Sequence, residues 1–293
     1  MMFYTIADLL AQAKNYPSIA EMMIAVEMET TGRSREKILE LMEKNLATME
    51  QSVAKGIAGV TSITKLTGQD APKLDRYLKQ EEPLCGPTLL KAVRNAIAVN
   101  EVNAQMGLIC ATPTAGSAGV AAGVLMAVRE TLTLDRKQQL DFLFTAGAFG
   151  LVIANQASIS GAEGGCQAEI GSASAMASAA LVCAKGGSNE QAAQAVAITL
   201  KNMMGLICDP VAGLVEVPCV KRNALGASQA IVSAEMALAG ITSVIPPDEV
   251  VLAMHRVGMQ MPSIFKETAE GGLATTPTGL RLAKEIFGQE NQK

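Results

Sequence analysis

The chain has 293 residues, of which 49% are hydrophobic and 3% aromatic, with a formal net charge of −4 and a pI near 5.3. That length and apolar content suffice for one large hydrophobic core, and the acidic balance, with no basic cluster beyond Lys221-Arg222, excludes a nucleic-acid footprint. The stretches 102–128 and 142–162 carry no Asp, Glu, Lys or Arg, but polar and hydroxyl residues interrupt both, so neither supplies the roughly 20 predominantly apolar residues of a membrane span.

With no Trp, 16 Met and abundant Ala and Gly, packing must come from small-residue helices that approach closely and are filled in by Met and Leu. This predicts an all-α fold, a single domain over residues 1–293 in which the helices of 1–56 lie at the periphery. The N-terminus shows no basic region followed by an apolar stretch, which predicts a cytoplasmic protein.

In chain order, Thr5-x-x-Asp8, Ser18-x-x-Glu21 and Ser34 each open an apolar-periodic stretch, with Ser18 and Glu21 spaced as a capping box. Helices are expected over Ile19–Glu29 and Glu36–Ala54, both amphipathic, with their charges on a solvated face. Ser62-Ile-Thr-Lys65 matches the Ser-x-x-Lys nucleophile signature, but the Ser-Asp-Asn and Lys-Thr-Gly partners of that chemistry are absent, so it reads as a polar loop before a helix. Further helices are expected from Gly86 to Met106, from about Val120 to Glu130 and from Leu134 to Ala148. Three more are expected after the Ser188/Gln191 capping box, over Asn223–Gly240 and after Pro246, and a last one starts at Thr276. No period-two run is bounded by hairpin signals.

Between the Gly86–Met106 and Val120–Glu130 helices lies Cys110-Ala-Thr-Pro-Thr-Ala-Gly-Ser-Ala-Gly119. Pro113 stops any helix here, so Thr112, Thr114 and Ser117 bring hydroxyls, and Gly116 an open backbone, beside the unpaired N–H groups of a helix N-terminus. That chemistry suits a carboxylate, and equally a hydroxyl-rich cap on a buried helix.

Six cysteines, at 85, 110, 166, 183, 208 and 219, are too sparse for a disulfide scaffold. Cys110 and Cys183 sit in apolar helix-like contexts and read as core residues. Cys166, Cys208 and Cys219 each adjoin a glycine or proline between hydrophobic segments, where a thiol is either buried structure or a metal ligand. Their separations are unlike the tight Cys-x-x-Cys runs of ferredoxins or zinc sites, so spacing alone leaves both readings open. Pyridoxal phosphate is not supported, because Lys65 and Lys201 lie near no glycine-rich phosphate loop. The one histidine, His255, sits in a helical run and is a weak candidate for a general base.

Three blocks, Asn155-Gln-Ala-Ser-Ile-Ser-Gly-Ala-Glu-Gly-Gly-Cys-Gln-Ala-Glu169, Cys110 to Gly119, and Lys201 to Asn223, resemble the iron–sulfur L-serine dehydratase family, and within it the separate alpha chain. The similarity runs from about Ser18 to about Arg281. It implies that Cys166, Cys208 and Cys219 ligate a [4Fe-4S] cluster through three irons, leaving one iron open as a Lewis acid. It implies further that Thr112, Thr114, Gly116 and Ser117 bind the carboxylate of L-serine, and that the products are pyruvate and ammonia. The loop Gly68-Gln-Asp70 is similar to one in those alpha chains, which implies at most a minor role at the site. One-chain members carry a fused smaller domain and a C-terminal cysteine; neither is found here, which points to a separate beta chain that supplies the missing base. Related lyases acting on threonine or cysteine, an electron-transfer iron–sulfur protein and a metal-free helical scaffold are the other readings.

Overall fold

The computed structural model describes residues 3–288. Among them are thirteen α-helices and no strand. The first seven are α1 (Ile6–Ala13), α2 (Ile19–Thr31), α3 (Arg35–Ala58), α4 (Asp70–Gln80), α5 (Pro87–Ala104), α6 (Ala118–Thr131) and α7 (Arg136–Gln156). There follow α8 (Gly161–Gly164), α9 (Cys166–Ala184), α10 (Asn189–Met203), α11 (Cys219–Leu238), α12 (Pro247–Gln260) and α13 (Pro277–Phe287). The all-α class expected from composition is what the chain forms. Residues 289–293, the end of the tail that carries no cysteine, lie outside the described residues.

Helix α9 is the axis. Every residue from Cys166 to Val182 is buried, and α6, α7, α10 and α11 pack around it. Its Ala and Ser positions let these neighbours approach closely. Helix α5 lies against α6 and α11, with α3 and α4 on its far side, while α2 covers α7 and α12 covers α10. Helices α1 to α3 contribute Ile6, Leu9, Met22, Ile24, Leu46 and Met49 to the same hydrophobic cluster as α9, so the N-terminal helices are part of the core they cover.

Caps set most of the helix starts. Thr5 with Asp8, Asp135 with Gln138, and Ser188 with Gln191 form complete capping boxes. The box expected at Ser18 is only half made: Ser18 accepts from the Glu21 amide, but the Glu21 carboxylate is drawn to Arg35 at 2.8 Å. Helix α4 has no cap from its own chain neighbour; the buried Glu101 of α5 accepts from the amides of Asp70 (2.8 Å) and Ala71 (3.3 Å) instead.

The α5–α6 seam shows how far small residues govern the packing. A Cβ on Gly119 would lie 2.2 Å from the Ala96 carbonyl oxygen, whereas one on Gly147, mid-helix in α7, would meet nothing within 4 Å. Gly119→Ala should therefore destabilise by about 1–3 kcal/mol through overpacking, and Gly147→Ala should stabilise by about 0.5–1 kcal/mol through helix propensity. Thermal unfolding of the two variants checks the opposite signs.

Candidate metal centre and substrate site

Three helix N-termini meet at one place. Cys166 is the first residue of α9, Cys219 the first of α11, and the loop 112–117 leads into α6. Asn223, fully buried in α11, ties them together: its amide donates to the carbonyls of Gly116 (2.7 Å) and Cys219 (3.0 Å) and accepts from the Gly119 amide (3.0 Å). Asn100 of α5 donates a second bond to Gly116 O (2.9 Å). The partial positive ends of helices of 14, 19 and 20 residues are thus aimed at a common space, where they favour anions and thiolates.

Cys208 arrives from a different direction, on the segment after α10. It forms a parallel bridge with Lys266: its amide donates to Phe265 O (2.8 Å) and its carbonyl accepts from the Glu267 amide (3.1 Å). The Sγ atoms of Cys166 and Cys208 and a carboxylate oxygen of Glu169 lie within 4.8 Å of one another, all buried. Cys219, also buried, is near enough to both Cys166 and Glu169 that each raises its thiol pKa, after burial itself. The hydrogen bond with Cys208, and behind it Arg222, hold the Cys166 thiol below its ordinary value, while that same bond and burial push Cys208 up.

Arg222, one turn into α11, is the one guanidinium in contact with these thiols among the described residues. It donates to Cys166 Sγ (3.5 Å) and Ile207 O (2.8 Å), and pairs with the buried Asp209 at 2.7 Å. Asp209 also accepts from the Leu273 amide (2.8 Å), which fixes the segment after Cys208 against the 272–275 turn.

The donors surround an open cradle. A Cβ on Gly161 would stand 3.2 Å from Glu267 Oε2 and 3.3 Å from both Cys208 Sγ and Glu169 Oε2, so any larger residue there would fill it. Three thiols and two carboxylates faced by one committed guanidinium form a donor set that calls for a multivalent cation. The residues present therefore fit a thiolate-bound metal group.

The loop predicted to bind a carboxylate lies beside this cradle, with its hydroxyls already engaged. Thr114 donates to Glu169 and lies 2.9 Å from Ser117 Oγ, and Thr112 Oγ1 lies 3.4 Å from Ala118 O. The amides of Ala115 and Gly116 make no hydrogen bond among the described residues, so backbone rather than side chains is what the loop offers to an anion. Gly116 packs directly on Glu169, where an added Cβ would come within 2.5 Å of Oε1.

The other candidates lie elsewhere. His255 lines a separate groove of about 430 Å³ with Ser158, Glu163, Gly164 and Lys266. Cys183 is seventeen residues along α9 from Cys166, about 25 Å away at the helical rise, and burial pushes its thiol up to about 12. Ser62 closes a turn with Thr64 and Thr67, whose hydroxyls anchor to the buried Glu216. Asp70 of the Gly-x-Asp loop pairs with Lys73 and Lys221. The sequence reading gave no role to Glu169, Asp209, Arg222, Asn223 or Glu267; Glu169, three residues after Cys166, and Arg222 and Asn223, three and four after Cys219, share a helix face with those cysteines and carried a signal that could have found them.

Fold and site together define an all-helical protein with a buried thiol–carboxylate centre at converging helix N-termini. The family model for the serine dehydratase alpha chain matches residues 14–274, and the chain belongs to that family. It is 63% identical over 270 residues to a probable L-serine dehydratase alpha chain of Bacillus subtilis, covering 92% of this chain and 90% of that one. The L-serine dehydratase alpha chain of Peptoniphilus asaccharolyticus is 41% identical, with 92% of each chain covered. An L-serine dehydratase of Streptomyces coelicolor is 44% identical over 61% of this chain but only 40% of its own length. No described helix is long and apolar enough to cross a membrane.

Burial raises the Glu169 carboxyl above its ordinary value, the Thr114 bond opposing and Glu267 adding to the rise. Folding of the metal-free chain then favours protonated Glu169, a contribution fully present below the unfolded pKa and lost as pH rises through the raised folded one. Metal-free Glu169→Gln should accordingly be more stable than the wild type, by a margin in melting temperature that widens as pH rises above the ordinary carboxylate range. A margin that shrinks with pH would contradict this.

Proposed function

We propose that this chain is the catalytic alpha chain of an L-serine ammonia-lyase that converts L-serine to pyruvate and ammonia. The observation that carries the reading is the cradle itself: the buried thiols of Cys166 and Cys208 within 4.8 Å of Glu169, with the buried Cys219 close by and the Glu267 carboxylate facing in, beside a loop with free amides, in a chain of the serine dehydratase alpha family. Cys166, Cys208 and Cys219 would hold a [4Fe-4S] cluster, which when bound supplies a Lewis-acidic iron without a thiolate ligand. A reducing compartment, the cytoplasm, keeps those thiols available.

The chain's own residues do the rest. Arg222 and the N-terminus of α9 favour the thiolate form of Cys166. The amides of Ala115 and Gly116, with Thr112, Thr114 and Ser117 shaping the loop, receive the substrate carboxylate. Burial of α9 and the Asn100 and Asn223 bonds hold that loop rigid, so orientation is set before substrate arrives. The reaction removes the Cα proton and the β-hydroxyl as water, and the resulting aminoacrylate tautomerises to an imine that water cleaves to pyruvate and ammonium, with no net redox change.

His255 lines a groove with Ser158, Glu163 and Lys266 that includes none of the three thiols, and we assign the group that takes the Cα proton to a beta chain. Its docking face is the apolar rim at the 105–112 loop, where Met106 and Leu108 are 81% and 73% exposed. The near end-to-end match with separate alpha chains, against the partial match with the longer Streptomyces coelicolor protein, supports this two-chain form.

Cys166→Ser, Cys208→Ser and Cys219→Ser should each lose iron, cluster absorbance and activity after anaerobic reconstitution, while Cys85→Ser and Cys183→Ser should keep all three. Equal iron in all five variants would contradict the assignment. Adding the beta chain should raise the rate of pyruvate formation from L-serine by at least about a hundredfold, the scale of one general base. Full activity from the isolated chain would remove the need for a partner.

A further inference from the structure

Glu267 is held in an unusual way. Its φ of +65° lies in the left-handed region, where a glutamate has no local side-chain bond to compensate it, and such strain persists only where surrounding contacts impose it. The contact that imposes it is the bond from its amide to the Cys208 carbonyl, one residue after the Lys266 bridge. The result is a carboxylate that turns into the cradle, with Oε2 3.2 Å from the Cβ position of Gly161.

That carboxylate makes no hydrogen bond or ion pair among the described residues. Glu169 Oε2 and Cys208 Sγ approach the same point at 3.3 Å, so two carboxylates converge without a cation between them. Arg222, the guanidinium that reaches these thiols, is committed to Cys166, Asp209 and Ile207. On the opposite side of Glu169, the free amides of Ala115 and Gly116 offer an anion site. A ligand suited to both sides carries a carboxylate at one pole and a cation at the other, which is the pattern of an α-amino acid.

We propose that Glu267, with Glu169 beside it, receives the α-ammonium group of the substrate and makes the site selective for amino acids over hydroxy acids. This rests on the amino-acid lyase reading above and adds a residue and a specificity to it. A carboxylate–ammonium contact in a partly buried site contributes enough that its loss weakens binding by about tenfold to a hundredfold.

The test uses the anaerobically reconstituted chain with its partner and two ligands, L-serine and L-glycerate, which differ in having an ammonium or a hydroxyl at the α-carbon. Glu267→Gln should raise the KM for L-serine by about tenfold or more and change the inhibition constant of L-glycerate by less than about twofold, with iron content and helicity unchanged. Glu267→Asp, which keeps the charge one methylene shorter, should fall between, and should decide the matter if the glutamine variant does not fold. Equal weakening of both ligands overturns the inference. So does loss of iron, which would make Glu267 a metal ligand, and so does a fall in kcat at unchanged affinities, which would make it a proton-transfer group. A wild-type complex that fails to bind L-serine would instead overturn the proposed function, and this inference with it.

Discussion

Negative charge gathered in a space that excludes water is the constraint on which the rest of the structure depends. Cys166, Cys208, Cys219 and Glu169 are all buried, and burial disfavours each in its ionised form. The fold answers with the starts of α6, α9 and α11 and with the pairing of Arg222, beside the thiols, to the buried Asp209. Those helix ends are fixed partial charges that need no counter-ion and lose no entropy when a ligand arrives. What they leave uncompensated is what the proposed metal group and the cationic end of the proposed substrate would neutralise.

The architecture follows from that requirement. Three N-termini can meet only if their helices cross closely, which is why α5, α6, α9 and α11 are built from Ala, Gly and Ser, with contacts as tight as Gly119 on the Ala96 carbonyl. Close backbone approach in turn makes a buried polar side chain costly unless its bonds are made. Asn223 meets that condition with three bonds, and so converts helix packing into positioning of the 112–117 loop. The thiol on the less regular segment, Cys208, gains its rigidity from the 263–267 strap instead. Rigidity at the centre and an apolar rim at Met106 and Leu108 fit a site completed by a second chain.

Much of the helical framework was legible in the sequence because its outer helices are amphipathic and its starts are capped. Helix α9 was not, and the reason is physical: a helix buried on every side has no polar face, so the 3.6-residue alternation that marks its neighbours is missing. Helix α7 runs eight residues past its expected end at Ala148 for the same reason, its apolar tail being covered by α9. The three thiols could be picked out by the glycines and prolines beside them. Their company could not, since Glu267 is 101 positions from Cys166 and reaches it through one bridge between loops. Hydroxyls at Thr114 and Ser117 looked available from sequence; in the fold they are consumed by each other and by Glu169, and the free groups are backbone amides that no residue letter reveals.

The central claim is that Cys166, Cys208 and Cys219 leave one iron of a cluster open to the substrate. Mössbauer spectroscopy of the iron-reconstituted chain with its partner tests it most directly. The account predicts one iron site distinct from the other three, and a change confined to that site when L-serine is added. Four equivalent irons that do not respond to L-serine would contradict it.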